Sequence, residues 1–86
     1  MRVHVPSALR SYTVQQSEVQ AEGATLADVL MALDRRYPGI RFRIITEQGQ
    51  IRPHIRIFVN EEQLHDLASP LHQTDTVYIV CALSGG

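Results

Sequence analysis

One strongly amphipathic segment constrains the fold of this chain more than any other feature of its sequence. Apolar side chains recur there at the helical spacing i, i+3, i+4, i+7 and i+11, namely Leu26, Val29, Leu30, Leu33 and Tyr37. Thr25 followed by Asp28 predicts the N-terminal cap, and Pro38-Gly39 predicts the end of the helix. A single helix with one apolar face requires a second layer of structure to cover that face.

Short segments in which apolar and polar residues alternate surround the helix and predict this second layer. The predicted strands are residues 1–5, 12–21, 40–46, 51–59 and 76–82. Pro53 excludes a regular central strand at its own position, because proline has no backbone N–H to donate. The order strand, strand, helix, strands predicts an α+β fold in which a mixed β-sheet packs on one main helix.

The composition limits the chain to one small domain. It has 86 residues, of which 44% are hydrophobic and 20% charged, with a net charge of −1. No apolar run approaches the roughly 20 residues of a membrane-spanning helix, and the first residues lack the apolar stretch of a secretory signal. The near-zero charge favours neither nucleic acid nor a membrane as a partner. We therefore expect a cytoplasmic protein.

The side chains that usually carry chemistry are too scattered to predict an active site. The four histidines share no metal-ligand spacing, and we expect no metal site. Cys81 continues the parity of Val77 and Ile79 along the last strand, which favours a structural role. Arg41 and Arg43 share one face of a predicted strand, but two arginines without interleaved aromatics indicate nucleic-acid binding only weakly. We expect no enzymatic activity and no bound cofactor.

All eight basic residues are arginines, so the chain contains no lysine. Apart from its N-terminus, it therefore offers no primary amine that an activated acyl group could attack. An activated carboxyl group on this chain would therefore meet no lysine amine on the chain itself.

The sequence ends in Leu83-Ser84-Gly85-Gly86, directly after the last predicted strand. Four extended residues reach roughly 13 Å, which is enough to enter a pocket on a partner. Two residues without side chains let a terminal carboxylate pass through a narrow channel. A Gly-Gly end is weak evidence alone, since frayed tails are common. Its position after a strand–strand–helix–strand domain predicts a tail that a partner binds.

Four segments carry a family resemblance over nearly the whole chain: VPSALRSYT, GATLADVLMALDRRYPGI, IRIFVNEEQL and DTVYIVCALSGG. The chain resembles the ubiquitin-like β-grasp sulfur carriers, the ThiS/MoaD family, and within it the CysO/QbsE-like branch of cysteine-biosynthesis and siderophore-pathway carriers. FVNEE and the Gly-Gly end are the most specific segments. CALSGG departs from the Pro-Ala-Val-Ala-Gly-Gly-like ending of that branch. The resemblance implies a β-grasp domain over residues 1–82, a flexible tail over 83–86 and a monomer in isolation.

The resemblance also implies a protein cosubstrate that an activating enzyme acts on. An E1-like adenylating enzyme would use ATP to adenylate the carboxylate of Gly86. A sulfur donor, either a sulfurtransferase or sulfide, would then leave a thiocarboxylate for a downstream sulfur-accepting synthase. Gly85, Ser84 and Leu83 would form the part of the tail that the partner grips. The expected docking surface is the outward-facing set Phe58, Tyr78 and Val80.

Three alternatives to a cysteine-type or siderophore-type carrier remain open from the sequence. The chain could be a MoaD-type small subunit of molybdopterin synthase, or a ubiquitin-like modifier conjugated to other proteins through Gly86. It could also be a β-grasp binding module with an inert tail. A free thiocarboxylate would favour the carrier, whereas a ladder of high-molecular-weight conjugates would favour the modifier.

Overall fold

A mixed five-stranded sheet forms one layer of the molecule, in a computed structural model that describes residues 1–82. Its strands are β1 (Arg2–His4), β2 (Glu18–Gln20), β3 (Ile55–Val59), β4 (Glu62–Leu64) and β5 (Thr76–Cys81). They lie side by side in the order β2-β1-β5-β3-β4. The neighbours β1 and β5 are parallel, and the other neighbours are antiparallel. The predicted α+β class with a mixed sheet is confirmed.

The amphipathic segment forms helix α1 (Leu26–Arg36), as its spacing predicts. The backbone N–H of Asp28 donates to Oγ1 of Thr25 at 3.3 Å, so the predicted N-terminal cap is confirmed. Tyr37, the last residue of the predicted stripe, is the C-cap and is half-buried. The buried part of the stripe consists of Leu26, Val29, Leu30 and Leu33.

The predicted strand over residues 40–46 is wrong, because the chain forms a second short helix there, α2 (Ile40–Ile44). Ile40 and Ile44 are both fully buried, and their spacing of four residues brings them to one side of a helical turn. Alternation with arginines also fits a strand, so the local pattern was ambiguous. Arg41 and Arg43 consequently share no strand face: Arg41 is half-buried, and Arg43 is exposed.

A side chain of α1 determines where the second helix starts. Oδ1 of Asp34 accepts hydrogen bonds from the backbone N–H groups of Gly39 and Arg41, both at 3.1 Å. Gly39 has φ of 97°, a left-handed conformation that reverses the chain between α1 and α2. This arrangement packs α2 beside α1 and removes residues 40–44 from the sheet.

The predicted second strand over residues 12–21 is also wrong over most of its length, since only β2 remains extended. A 3₁₀ turn (Ser7–Leu9) and further turns occupy the preceding residues. Thr13 is fully buried, and its hydroxyl hydrogen-bonds the carbonyl of Gln16 at 2.8 Å. Such side-chain bonds to the local backbone compete with strand pairing. Val14, in the same stretch, is 80% exposed with φ of 54°.

The strands after the helices agree more closely with the predictions. Of the predicted strand over residues 51–59, only β3 is regular, and it begins two residues after Pro53. Ile51 instead forms an isolated bridge with Ile45. The predicted last strand, residues 76–82, corresponds to β5, which ends one residue earlier.

The hydrophobic core lies between the sheet and the two helices. Every strand except β4 contributes at least one buried aliphatic side chain to it, from Val3, Val19, Ile55, Ile57, Val59, Val77 and Ile79. Full burial of one aliphatic side chain stabilises a fold by about 1.5–3 kcal/mol. No helix within residues 1–82 is long and apolar enough to cross a membrane.

Candidate functional site

The sheet face turned away from the helices carries a row of side chains that crosses every strand. The register aligns one residue from each strand, in the order Glu18, His4, Tyr78, Phe58 and Gln63. We refer to these five residues as the central row. Because neighbouring strands keep the same facing at paired positions, all five project from one side of the sheet. All of them are at least partly exposed.

An aromatic stack lies at the middle of the central row. The rings of His4 and Tyr78 are parallel within 6°, with centroids 4.5 Å apart. Nε2 of His4 lies 3.7 Å from Oε1 of Glu18 on the next strand. These contacts hold the ring of Tyr78 across β1 and reduce its freedom before any partner arrives.

The structure brings the three predicted docking residues together on this outer face. Phe58 lies directly opposite Tyr78, and Val80 follows two residues later on the same side of β5. Tyr78 is 38% exposed and Val80 is 42% exposed, whereas Phe58 is half-buried. Together they form an apolar surface next to the end of β5. Their role in docking stays a prediction.

The predicted tail residues Leu83, Ser84, Gly85 and Gly86 lie outside the described residues. The structure does show the point from which they continue. The backbone N–H of Ala82 donates to the carbonyl of His54 at 2.7 Å, one residue beyond the end of β5. We refer to this point, at Ala82 and His54, as the tail root. It lies at the Val80 end of the apolar outer surface.

A groove of about 720 Å³ is lined by residues of the segments 49–57 and 63–67. The charged or titratable side chains along it are Arg52, Arg56, His65 and Asp66. Arg56 lies directly opposite Val80 in the register, so the groove includes a side chain next to the tail root. Sequence reasoning missed this groove, because β4 and the loop before β3 are close only in the folded chain.

Cys81 lies on the same side of β5 as Val77 and Ile79, as the alternation along that strand predicts. It is paired with Ile55, is half-buried, and packs against the hydrophobic core. Within residues 1–82, no group of three His, Cys, Asp or Glu side chains is placed to hold a metal ion.

Two ionisable groups away from the tail root have shifted pKa values. The backbone N–H of His72 donates to Oδ2 of Asp75 at 2.8 Å and lowers the pKa of that carboxyl group below 3.8. Nδ2 of Asn60 donates to Oδ1 of Asp75 at 3.2 Å and acts in the same direction. Nε of Arg43 donates to Oη of Tyr12 at 2.7 Å, which raises the pKa of Arg43.

Comparison with known proteins places this geometry in a family. The ThiS family profile matches residues 3–86. The chain belongs to the ThiS family. It is 34% identical to the sulfur carrier protein CysO of Mycobacterium tuberculosis over 89 aligned positions, which cover 98% of this chain and 96% of that protein. The crystal structure of M. tuberculosis CysO matches with a TM-score of 0.90 and 32% identity, covering 95% of this chain and 98% of that one.

Two further relatives extend the comparison. The crystal structure of the Amycolatopsis orientalis BexX/CysO complex contains a chain that matches with a TM-score of 0.91 and 30% identity, covering 99% of this chain and 98% of that chain. The small archaeal modifier protein 3 of Haloferax volcanii is 32% identical over 76% of this chain and 73% of that protein. These matches confirm the predicted ubiquitin-like β-grasp fold. By their names, the sequence relatives are a sulfur carrier and a modifier protein.

Proposed function

We propose that this member of the ThiS family carries sulfur as a thiocarboxylate on Gly86. The observation that carries the proposal is the family match, which extends through the Gly-Gly sequence to residue 86. The 34% identity to the sulfur carrier CysO over nearly the whole chain supports the same chemistry. Among the pathways open from the sequence, this identity favours the cysteine-type carrier.

The proposed chemistry begins with activation of the Gly86 carboxylate, because a free carboxylate is a poor electrophile. An oxygen of the carboxylate attacks the α-phosphorus of ATP on an E1-like enzyme, and pyrophosphate leaves. Hydrosulfide then attacks the carbonyl carbon of the acyl adenylate. The C–O bond to AMP breaks, AMP leaves with the electron pair, and the hydrosulfide proton passes to solvent. The product is a thiocarboxylate that a downstream synthase can use as a sulfur nucleophile.

The outer face of the sheet is the proposed docking surface for the activating enzyme. Phe58, Tyr78 and Val80 present apolar area to solvent at the end of the sheet from which the tail continues. Tyrosine is enriched at the energetically important centres of interfaces, since its ring supplies a large contact area at small entropic cost. A partner that binds the tail would cover this surface in the same step. The tail residues Leu83, Ser84 and Gly85 would occupy its channel.

Intact mass spectrometry tests the proposed function. The purified chain is incubated with ATP, sulfide and the E1-like adenylating enzyme of the same organism. We expect a mass gain that corresponds to sulfur in place of one oxygen, localised by fragmentation to Gly86. A chain that lacks Gly85 and Gly86 serves as the control and should gain no mass. An unmodified mass after complete incubation would contradict the proposal.

Conjugation to proteins is the second candidate function, favoured by the 32% identity to an archaeal modifier protein. Both functions share the activated Gly86 carboxylate and differ in the nucleophile that attacks it. The absence of lysine prevents the chain from forming polymers through its own side chains, but it leaves attachment to other proteins open. An isopeptide between Gly86 and a lysine of another protein, detected in cell extracts by mass spectrometry, would support the modifier.

A further inference from the structure

Positive charge is concentrated in one continuous part of this nearly neutral chain. Residues 35–56 contain six of the eight arginines but only one of the nine acidic residues, Glu47. The rest of the chain holds the other eight acidic residues and two arginines. Arg2 is the only arginine within residues 1–82 that lies within 4.0 Å of a carboxylate, at 3.9 Å from Glu18. The arginines of residues 35–56 therefore have no carboxylate partner in the described part of the chain.

Three of these arginines, Arg36, Arg52 and Arg56, donate to carbonyl groups, and two of the three, Arg52 and Arg56, line the groove described above. Nη1 of Arg56 donates to the carbonyls of Pro53 and Ile55, at 2.6 and 3.1 Å. Nε of Arg52 donates to the carbonyl of Phe42 at 2.7 Å, and its guanidinium lies 4.7 Å from the centroid of the Phe42 ring. Each guanidinium is thus oriented while several of its N–H groups remain available. A planar donor fork that is ordered in advance suits a carboxylate.

The position of Arg52 and Arg56 relative to the tail root indicates which partner surface would cover these two arginines. Arg56 lies opposite Val80, and the carbonyl of His54, between Arg52 and Arg56 in sequence, binds the N–H of Ala82. A fully extended Leu83–Gly86 segment reaches only roughly 13 Å from this point. An enzyme that binds the tail close to its root would therefore also approach Arg56 and the groove that Arg52 shares with it. Removing a guanidinium from water without an acidic partner is costly.

We infer that Arg52 and Arg56 form an ionic anchor that binds carboxylates on the activating enzyme, at the rim of its tail channel. This inference rests on the proposed function and specifies the chemistry of the partner surface. The apolar outer face supplies contact area, and the arginine pair supplies orientation, because bidentate pairs fix both distance and angle. Asp66, which also lines this groove, accepts the backbone N–H of Ala68 at 2.9 Å and is engaged within its own loop.

Steady-state adenylation kinetics test the anchor, with pyrophosphate release measured at increasing concentrations of the chain. The variants are Arg52→Gln, Arg56→Gln and their combination. We expect the double variant to raise KM by about tenfold or more while kcat stays unchanged, because the lost contacts lie outside the reacting carboxylate. Raising the ionic strength should increase KM for the unmodified chain more than for the double variant.

Two controls separate an ionic contact from damage to the fold. Arg2→Gln removes an arginine from the sheet face that also carries Arg56. The register partner of Arg2, Thr76, lies at the opposite end of β5, roughly 16 Å from Cys81. This variant should keep the KM of the unmodified chain. Replacing Arg52 and Arg56 by lysine keeps both charges and should restore part of the affinity and its salt dependence. Thermal unfolding of each variant shows whether the domain remains folded.

The outcomes also distinguish this inference from the proposed function. If the unmodified chain is adenylated and the folded double variant has the same KM and salt dependence, the anchor is wrong and the carrier function stands. A KM increase that is equal in the lysine and glutamine variants, and insensitive to salt, would likewise overturn an ionic anchor. If the unmodified chain is not adenylated at all, the proposed function fails and the anchor fails with it.

Discussion

The two faces of the sheet differ sharply although they are built from the same short strands. On β5, Val77 and Ile79 are at most 3% exposed, whereas Tyr78 and Val80 between and after them are 38% and 42% exposed. The inner face packs against α1 and α2. The outer face carries apolar side chains that stay partly exposed in the described part of the chain. Neighbouring residues on one strand thus contribute either to folding or to an exposed surface.

This difference implies that stability and partner binding can be changed separately. Loss of an inner side chain leaves a cavity, because the surrounding core relaxes only partly. Loss of an outer side chain creates no cavity, because its position already faces solvent. We therefore expect it to weaken binding to a partner more than it lowers the free energy of unfolding. Four substitutions, taken from the largest expected effect to the smallest, test this separation.

Replacement of one inner isoleucine should show the cost of a core cavity. Ile57→Ala, at a fully buried position on β3, should lower the free energy of unfolding by about 2–5 kcal/mol. Urea denaturation measures the change. Its neighbour on the outer face provides the matched control, since Phe58→Ala should cost only about 1 kcal/mol or less through the lost pair with Tyr78. Equal losses for the two variants would remove the distinction between the faces.

Replacement of the central aromatic residue should affect binding more than stability. Tyr78→Ala should raise KM for adenylation by about 30-fold, corresponding to about 2 kcal/mol, if the ring is an interface anchor. Met31→Ala is the control, because Met31 is 48% exposed on α1 and lies away from the outer sheet face. An unchanged KM for a folded Tyr78→Ala chain would exclude the outer face as the docking surface.

A third substitution tests whether every exposed side chain is neutral for stability. Val14 is 80% exposed but adopts a left-handed backbone conformation that is unfavourable for a β-branched residue. Val14→Gly should stabilise the fold by about 0.5–1 kcal/mol, as relief of strain exceeds the entropic cost of glycine. Val14→Ala should gain less, because alanine retains Cβ. A lower melting temperature for the glycine variant would show that Val14 makes stabilising contacts.

The smallest expected effect concerns pH and the turn before β5. Since the folded state lowers the pKa of Asp75, its contribution to stability is present above the unfolded value of 3.8 and is lost as pH falls through the folded value. Asp75→Asn should therefore slightly lower stability at neutral pH and flatten its decline in acid. The effect is small because the carboxyl group is partly exposed. If the free energy of unfolding changes with pH in the same way for the Asp75→Asn variant and the unmodified chain, this assignment is wrong.

The sequence was sufficient for elements whose stability is local. The apolar stripe of α1 and its Thr25 cap require only neighbouring residues, and both predictions are confirmed. The strand prediction for residues 40–46 is wrong because the local pattern fits two structures. The alternation suits a strand, whereas the spacing of Ile40 and Ile44 suits a helix. The side chain of Asp34, which binds the backbone at the start of α2, resolves that ambiguity. Its contact depends on how the chain turns after α1.

The candidate site likewise has features that the sequence predicts and features that only the folded chain shows. The tail residues Leu83 to Gly86 are evident in the sequence because their chemistry needs only the terminal segment, although they lie outside the described residues. The orientation of Phe58, Tyr78 and Val80 follows from alternation along single strands. The stack of His4 on Tyr78 does not, because it requires β1 to lie parallel to β5 although more than seventy residues separate the two side chains.

The sequence by itself determined the fold class, the main helix, the outward set on β3 and β5, and the Gly-Gly tail. Each of these depends on periodicity or residue type within a few neighbouring positions. Only the tertiary structure decided the central row, the second helix, the position of Arg56 beside the tail root and the groove that Arg52 and Arg56 line together. These features depend on which strands pair and in which register, and pairing free energies arise between segments that are distant in the chain.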